Sequence, residues 1–295
     1  MQFTLPHLLV RFFYYNMNNS TTTFLDNPNT DSRENSSINP PKPKFQLAIV
    51  VPTYNEKGNI SELLGQVQNV VEKNQIQTLL LVMDDNSPDG TALIVQDFID
   101  INESEFLKVE LKVRAGKMGL SSAYKQGFGY ILASFDCQFL MEMDADLSHK
   151  PLYIPQFIKK AQSGFQAVFG SRSIAGGGVE NWGWLRRKIS YFGSFYTRTI
   201  LGFPIQDFTG GYNFFAREVF ENIKMDEIMA EGYLFNIEIK YRVASLGYKF
   251  CEVPIIFPDR TAGKSKFSKK IVWEAIVGVW KLRNQKIEKV VNLGN

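Results

Sequence analysis

Histidine is nearly absent. His7 and His149 are the only two in 295 residues, too little imidazole for a His-rich metal centre or a Ser-His-Asp triad. Cysteine is equally scarce. Cys137 and Cys251 each sit beside an apolar run, the pattern of buried, reduced thiols in a reducing compartment and not of a disulfide framework. No apolar run reaches about 18 residues, so no membrane span is expected. The N-terminal MQFTLPHLLVRFFYYN is briefly apolar but lacks a basic n-region and a small-residue cleavage site, so it does not read as a signal peptide. The P-loop pattern G-x-x-x-x-G-K-[ST] is missing, and no G-x-G-x-x-G follows the first predicted strand, which argues against a dinucleotide oxidoreductase. The net charge of +3 is too small to point to nucleic acid.

What is present is a globular composition, 44% hydrophobic and 21% charged, with length enough for a sizeable core. Residues 17–44 are rich in Asn, Ser, Thr and Pro, so residues 1–44 are expected to be a disordered leader. The folded part is expected over residues 45–270, followed by an amphipathic helix and tail over 271–295. Strands are predicted at 45–51, 78–83, 106–113, 137–143 and 167–172. Between them the spacing predicts helices over 60–72 (with a capping box at Asn59-Ile60-Ser61-Glu62), 91–99, 119–135 and 153–162. A further helix is expected over 231–246. Alternating strand and helix predicts right-handed βαβ units and a mostly parallel, twisted α/β sheet flanked by helices.

In such a sheet, ligands sit beyond the carboxyl ends of the strands. Polar clusters fall at those ends: VVPTYNE, MDDNSPDG and MDADLS. One such cluster could be a polar turn, but three on one edge make a site. Asp144 and Asp146 are two residues apart, and on an extended chain such carboxylates point the same way. Their mutual repulsion is relieved by a divalent cation, and hard oxygen donors suit Mg²⁺ or Mn²⁺ bound together with substrate phosphates. Glu142 shares their parity but sits deeper in the strand, where a structural role is expected. His149 either reaches the site or packs.

VVPTYNE, MDDNSPDG, KMGLSSAYKQGF, MDADLSHKP, FGSR, DFTGGYNFF and PDRTAGKSK follow one another in the order and spacing of the dolichyl-phosphate mannosyltransferases. The chain resembles these family 2 glycosyltransferases from about Phe45 to Lys270. The resemblance implies a GT-A fold with a Rossmann-like nucleotide-binding half. It also implies inverting transfer of one mannose from GDP-mannose to dolichyl or another polyprenyl phosphate. Pro52, Tyr54, Asn55, Glu56, Met83 and Asp85 would then line the base and ribose pocket. Met143, Asp144, Ala145 and Asp146 would meet the donor, with Asp144, Asp146 and the weaker donor Ser148 on the metal. Arg172, Arg260 and Lys266 would contact donor or acceptor phosphates, Arg260 catalytically. Arg186 and Ser190 would join Arg172 at the lipid phosphate, although the Arg186-Arg187 pair leaves that register open by one. Asp207 and Thr209 would lie near the sugar.

The second half fits an anionic acceptor. GGGVENWGWLRRKIS (176–190) reads as a flexible glycine run leading to Trp182, Trp184 and three cations. A solvated basic loop is the plain alternative; the functional one is a phosphate site at a membrane surface. A phosphate monoester is already anionic and can attack a sugar without a general base, which suits a site poor in histidine. Glu238 is either structural or part of the site. Residues 269–286 place Trp273, Ile276, Val277 and Trp280 at helical spacing. This helix would lie on a membrane or pack on the domain. These features imply a peripheral enzyme on the cytoplasmic face of a membrane, with a membrane-anchoring partner subunit as an option. The Q-x-x-R-W motif of processive synthases is absent, which implies a single transfer. The competing expectations are a UDP-glucose-dependent polyprenyl-phosphate glucosyltransferase, transfer to a soluble or protein acceptor, and a non-catalytic nucleotide-sensing subunit. Retention of both Asp144 and Asp146 speaks against the last.

Overall fold

The computed structural model describes residues 42, 44–223, 225–228, 230, 232–258, 269–285 and 287, with the backbone alone at residues 233 and 269–275. The expected leader, Arg260 and Lys266 therefore lie outside the described residues, apart from Lys42 and Lys44. In chain order the elements are β1 (Lys44–Thr53), α1 (Ile60–Lys73), β2 (Thr78–Asp84), α2 (Thr91–Ile101), β3 (Leu107–Val113), α3 (Leu120–Ser134) and β4 (Asp136–Glu142). Then follow α4 (Ile154–Gln162), β5 (Ala167–Ser171), β6 (Gly178–Val179), α5 (Trp184–Leu201), β7 (Asn213–Ala216) and α6 (Arg217–Asn222). The last are α7 (Tyr233–Ser245), β8 (Phe250–Pro254), β9 (Ile256–Phe257) and α8 (Lys269–Arg283).

The main sheet has seven strands in the order β3-β2-β1-β4-β7-β5-β8. It is covered on both faces, which is why β1 and β2 read as continuous apolar runs instead of alternating ones. Successive residues still part to opposite sides. Leu47, Ile49 and Val51 of β1 join one apolar layer with α1 and α4, whereas Ala48 and Val50 join the other with α3 and α7. Helix α1 earns its place through Ile60, Leu63, Leu64, Val67 and Val71, all buried on one stripe. Gly127 lets α3 reach the sheet: a Cβ there would come within 2.7 Å of Val50 Cγ1.

β7 runs antiparallel to both β4 and β5, while the other pairings in this sheet are parallel. The reversal has a functional consequence. The loop that precedes β7 lies on the same edge as the loops that follow β1, β2, β4 and β5.

The structure departs from the sequence reading in three places. The capping box is not formed; Asn59 makes no side-chain cap, and its amide instead donates to Glu56 Oε2 at 2.8 Å. The strand ends at Glu142, so Asp144 and Asp146 sit in the bend beyond it and not on extended chain. Residues 176–190 are not a flexible loop. Gly178 and Val179 pair with Ile256 and Phe257, and α5 begins at Trp184. Gly177 is required there for close approach, because a Cβ would fall 2.5 Å from the Ser171 carbonyl oxygen. Of the two arrangements expected of the last helix, α8 takes the packed one: Val279 and Leu282 are buried, and the Tyr196 hydroxyl of α5 donates to the Ile276 carbonyl at 3.1 Å.

Candidate active site

The first two loops form one plate. Thr53 Oγ1 donates to Asp84 Oδ1 at 2.7 Å, and the amides of Asn55, Glu56 and Lys57 donate to Ser87, Thr91 and Asp89 at 3.0, 3.0 and 3.1 Å. Asn55 and Asn86 take positive φ values of 61° and 55° to make these turns, a conformation asparagine tolerates better than most residues. Asp85 is buried; its Oδ2 accepts the amides of Met118 and Gly119, both at 3.1 Å, and Arg114 pairs with its Oδ1. Asp85 thus ties the loop after β3 to the plate. Lys117, from that loop, stands 4.2 Å from the centre of the Tyr54 ring. Pro52, Tyr54 and Glu56 are half-buried and Asn55 is exposed. Met83, buried, helps line a concavity of about 440 Å³ with Lys112, Arg114, Met118 and Tyr130.

The acidic pair stands next in the row. Asp146 is buried, and both the amide and hydroxyl of Ser148 donate to its Oδ1. Asp144 is half-buried; its Oδ1 accepts the Tyr124 hydroxyl at 3.3 Å. His149 is buried, stacked on Tyr212 with ring centres 4.6 Å apart and edge-on to Phe257 at 5.6 Å. Its Nδ1 accepts the Asp144 amide at 2.9 Å, which puts the ring proton on Nε2, 3.9 Å from Asp144 Oδ2. His149 both packs and reaches the site, as an orienting group and not as a free base. Met143 and Ala145 are buried beneath the bend. Among the described residues no three His, Cys, Asp or Glu side chains converge on one point. The donor set is therefore two carboxylates with a hydroxyl beside them, which fits a hard cation completed by substrate oxygens.

The basic side is built with equal care. Arg172, just past β5, is gripped by Asp207: Nε to Oδ2 at 2.7 Å, Nη2 to Oδ1 at 2.8 Å, and its own amide to Oδ2 at 3.0 Å. Thr209 Oγ1 accepts Nη2 at 2.9 Å. Burial pushes the Asp207 carboxyl up, but the Arg172 charge and hydrogen bonds, with Lys240, outweigh it and hold the group well below the usual carboxylate range. The Arg172 guanidinium lies 5.5 Å from the Trp182 ring centre and 5.4 Å from that of Phe257, and Arg186 covers Trp182 at 3.8 Å. Arg186 is half-buried, whereas Arg187 points to solvent, so Arg186 is the member of the pair turned toward Trp182. Ser190 is half-buried one turn further along α5. Phe257 touches both His149 and Arg172, so it joins the acidic and basic halves.

Two acids play other parts. Glu142 is fully buried; its Oε2 accepts Asn213 Nδ2 at 2.6 Å, and burial raises it to about 8 against the pull of Asn213 and Lys240. Glu238 is locked by Arg242 Nε at 2.9 Å and by the Ala230 amide at 3.3 Å, which makes it structural. Arg114, Lys117, Tyr124, Asn213, Tyr212, Lys240, Glu252 and Phe257 escaped the sequence reading. Of these Lys117 and Tyr124 fall inside the motif KMGLSSAYKQGF, and Tyr212 and Asn213 inside DFTGGYNFF, which could have flagged them.

The model of the family described as "Glycosyl transferase family 2" matches residues 48–224, the span that carries the plate, the acidic bend and Arg172. The chain belongs to glycosyltransferase family 2. It is a glycosyltransferase of α/β, GT-A-like fold. Two curated relatives are similar over most of their length. Polyprenol monophosphomannose synthase of Mycolicibacterium smegmatis is 35% identical over 246 residues, 83% of this chain and 90% of the relative. Undecaprenyl-phosphate mannosyltransferase of Micrococcus luteus is 38% identical over 236 residues, 80% of this chain and 93% of the relative. Among solved structures, glucosyl-3-phosphoglycerate synthase of Mycobacterium tuberculosis, in complex with Mn²⁺, uridine-diphosphate and phosphoglyceric acid, is similar with a TM-score of 0.59 at 16% identity, over 82% of this chain and 80% of that one. At that identity the likeness concerns the fold.

Proposed function

We propose that this glycosyltransferase moves one mannose from GDP-mannose to a polyprenyl phosphate such as dolichyl phosphate, with inversion, using Mg²⁺ or Mn²⁺. The observation that carries this reading is the pairing of an acidic bend with a carboxylate-clamped arginine in a site whose one histidine is already committed. His149 accepts the Asp144 amide through Nδ1, so it is not poised to deprotonate a neutral alcohol. An acceptor that arrives as an anion needs no such base, and Arg172 is held at the site to balance its charge. The names of the two curated relatives point to the same acceptor class and sugar.

In this reading the plate from Pro52 to Glu56, with Met83 and Asp85, receives the nucleoside. Asp144 and Asp146 would hold the divalent cation, with Ser148, Tyr124 and His149 orienting them. When bound, such a cation would supply charge to neutralise the leaving diphosphate. Arg172, with Arg186 and Ser190 of α5, would orient the phosphate of the acceptor so that one oxygen faces the anomeric carbon. The bond from that carbon to the diphosphate oxygen breaks as the new bond to the acceptor oxygen forms on the opposite face. Arg260 and Lys266 keep their proposed phosphate contacts as part of this reading.

The lipid part of the acceptor is supported by α5. Trp184, Leu185, Tyr191, Phe192 and Phe195 are 69%, 56%, 59%, 59% and 47% exposed, beside exposed Arg187 and Lys188. Trp280 of α8 is 49% exposed. An apolar face rimmed by cations suits the surface of an anionic membrane. No helix among the described residues is long and apolar enough to cross one.

The experiment is transfer of radioactivity into an organic phase from GDP-mannose, or in parallel from UDP-glucose, with Mn²⁺ and a polyprenyl phosphate. Transfer from GDP-mannose is the expected result. Transfer from UDP-glucose alone would keep the acceptor and change the donor; transfer from neither would remove the acceptor assignment.

A further inference from the structure

Lys240 is wholly buried on α7, beneath the turn that precedes β7. A buried ammonium is tolerated only when its donors are paired. Nζ donates to the Asp207 carbonyl at 2.6 Å and to the Gly210 carbonyl at 2.8 Å, and it stands 5.1 Å from the centre of the Phe169 ring. The same turn is gripped from β8, where Glu252 accepts the amides of Gln206 and Asp207 at 2.8 and 2.9 Å. Both of these grips act on the backbone of the turn, while the Asp207 carboxylate clamps Arg172 and accepts the Gly210 amide at 3.1 Å. Lysine, turn and guanidinium thus form a continuous chain from the core to the site.

We propose that Lys240 is a positioning residue: its ammonium holds the Asp207–Gly210 turn in the conformation that presents Arg172 to the acceptor phosphate, and loss of its proton loosens that hold. The inference rests on the proposed reading of Arg172 as an acceptor ligand. Burial lowers Lys240 to about 8; Asp207, Glu252 and Glu142 favour its charged form, and Arg172 opposes it. A phosphate monoester loses its second proton near pH ~6. Acceptor and lysine would therefore bracket activity between about pH 6 and 8.

Lys240→Met keeps the volume and removes the charge. Against wild type it should raise KM for polyprenyl phosphate at pH 7 about tenfold or more, leave GDP affinity in Mn²⁺ within about twofold by calorimetry, and abolish an alkaline fall in kcat/KM that wild type shows above about pH 8. An unchanged acceptor KM, or an alkaline limb retained in the variant, overturns the proposal. If the variant does not fold, the wild-type protein decides by NMR. One lysine resonance and the Arg172 Nε resonance should titrate together near pH 8; separate titrations, or none, overturn it. The NMR titration needs no turnover. It therefore tests the link from Lys240 to Arg172 even if no polyprenyl phosphate is a substrate, an outcome that would refute the functional reading alone.

Discussion

Single residues in this site are positioned by other residues, and the substitutions that matter follow from who holds whom. Asp146 takes two hydrogen bonds from Ser148, which fix the carboxylate that would meet a cation in the proposed reading. Asp146→Ala should weaken GDP binding in Mn²⁺ while leaving binding in excess chelator unchanged, by titration calorimetry. Its turnover should fall about 10²–10³-fold, the scale expected for loss of one preorganised electrostatic group. Equal affinity in Mn²⁺ would remove Asp146 from the metal. Arg172→Lys keeps the charge but cannot reproduce the two-pronged contact with Asp207. It should raise acceptor KM about tenfold with little change in donor KM, as read from initial rates.

Elements matter here through how closely they approach one another. Gly177 passes the end of β5 at a distance that excludes a methyl group, and the obstructing atoms are backbone, which cannot swing aside. Gly177→Ala should cost about 1–3 kcal/mol, as overpacking does, and lower the melting temperature in calorimetry. Because the obstruction is Ser171 and Arg172 themselves, acceptor KM should rise as well. Helix α5 works in the opposite sense, with an apolar face left outward. Trp184→Ser with Phe192→Ser should reduce co-sedimentation with anionic vesicles several-fold, at about 25 cal/mol per Å² of apolar area withheld. Melting temperature and transfer to a short, soluble prenyl phosphate should be unchanged, since both side chains are exposed.

For the whole molecule, stability against pH reports the buried charges. Glu142 is raised from 4.5 to about 8 in the folded state. The folded chain then binds more protons than the unfolded one across that window, so stability falls as pH rises through it. Lys240 is lowered from 10.5 to about 8. There the unfolded chain binds more protons, so stability recovers as pH rises from about 8 toward 10.5. Asp207, held low by Arg172, contributes stability that is lost only in strong acid. In chelator, melting temperature should therefore decline from about pH 5 to 8, and Glu142→Gln should flatten the decline. A flat wild-type profile would contradict the burial of an ionisable Glu142. Above pH 8 the recovery from Lys240 is opposed by Cys137 and Cys251, each raised by burial from 9.0 to about 11, so melting temperature followed beside the rates separates unfolding from an alkaline loss of activity.

Much of this architecture was legible from the chain alone, because its determinants are local. Continuous β-rich runs ended by VVPTYNE and MDDNSPDG could only be buried strands delivering polar groups to one edge, and the helix between them carried its apolar stripe in plain view. That the acidic pair follows β4 and Arg172 follows β5 was legible for the same reason. Other features depended on partners distant in sequence. Four residues, Asn213 to Ala216, are too few to announce a strand, and only a slot between β4 and β5 makes them one and turns the loop before them toward the site. Gly177 looked like freedom and is crowded against the Ser171 carbonyl, in a segment whose next two residues are drawn into pairing with Ile256 and Phe257. Lys240 and Glu252 carry no motif at all. A charged side chain in a helix or strand reads as surface until tertiary packing closes over it, and only then does the cost of burying it force the pairing that holds Asp207 and Arg172 in place.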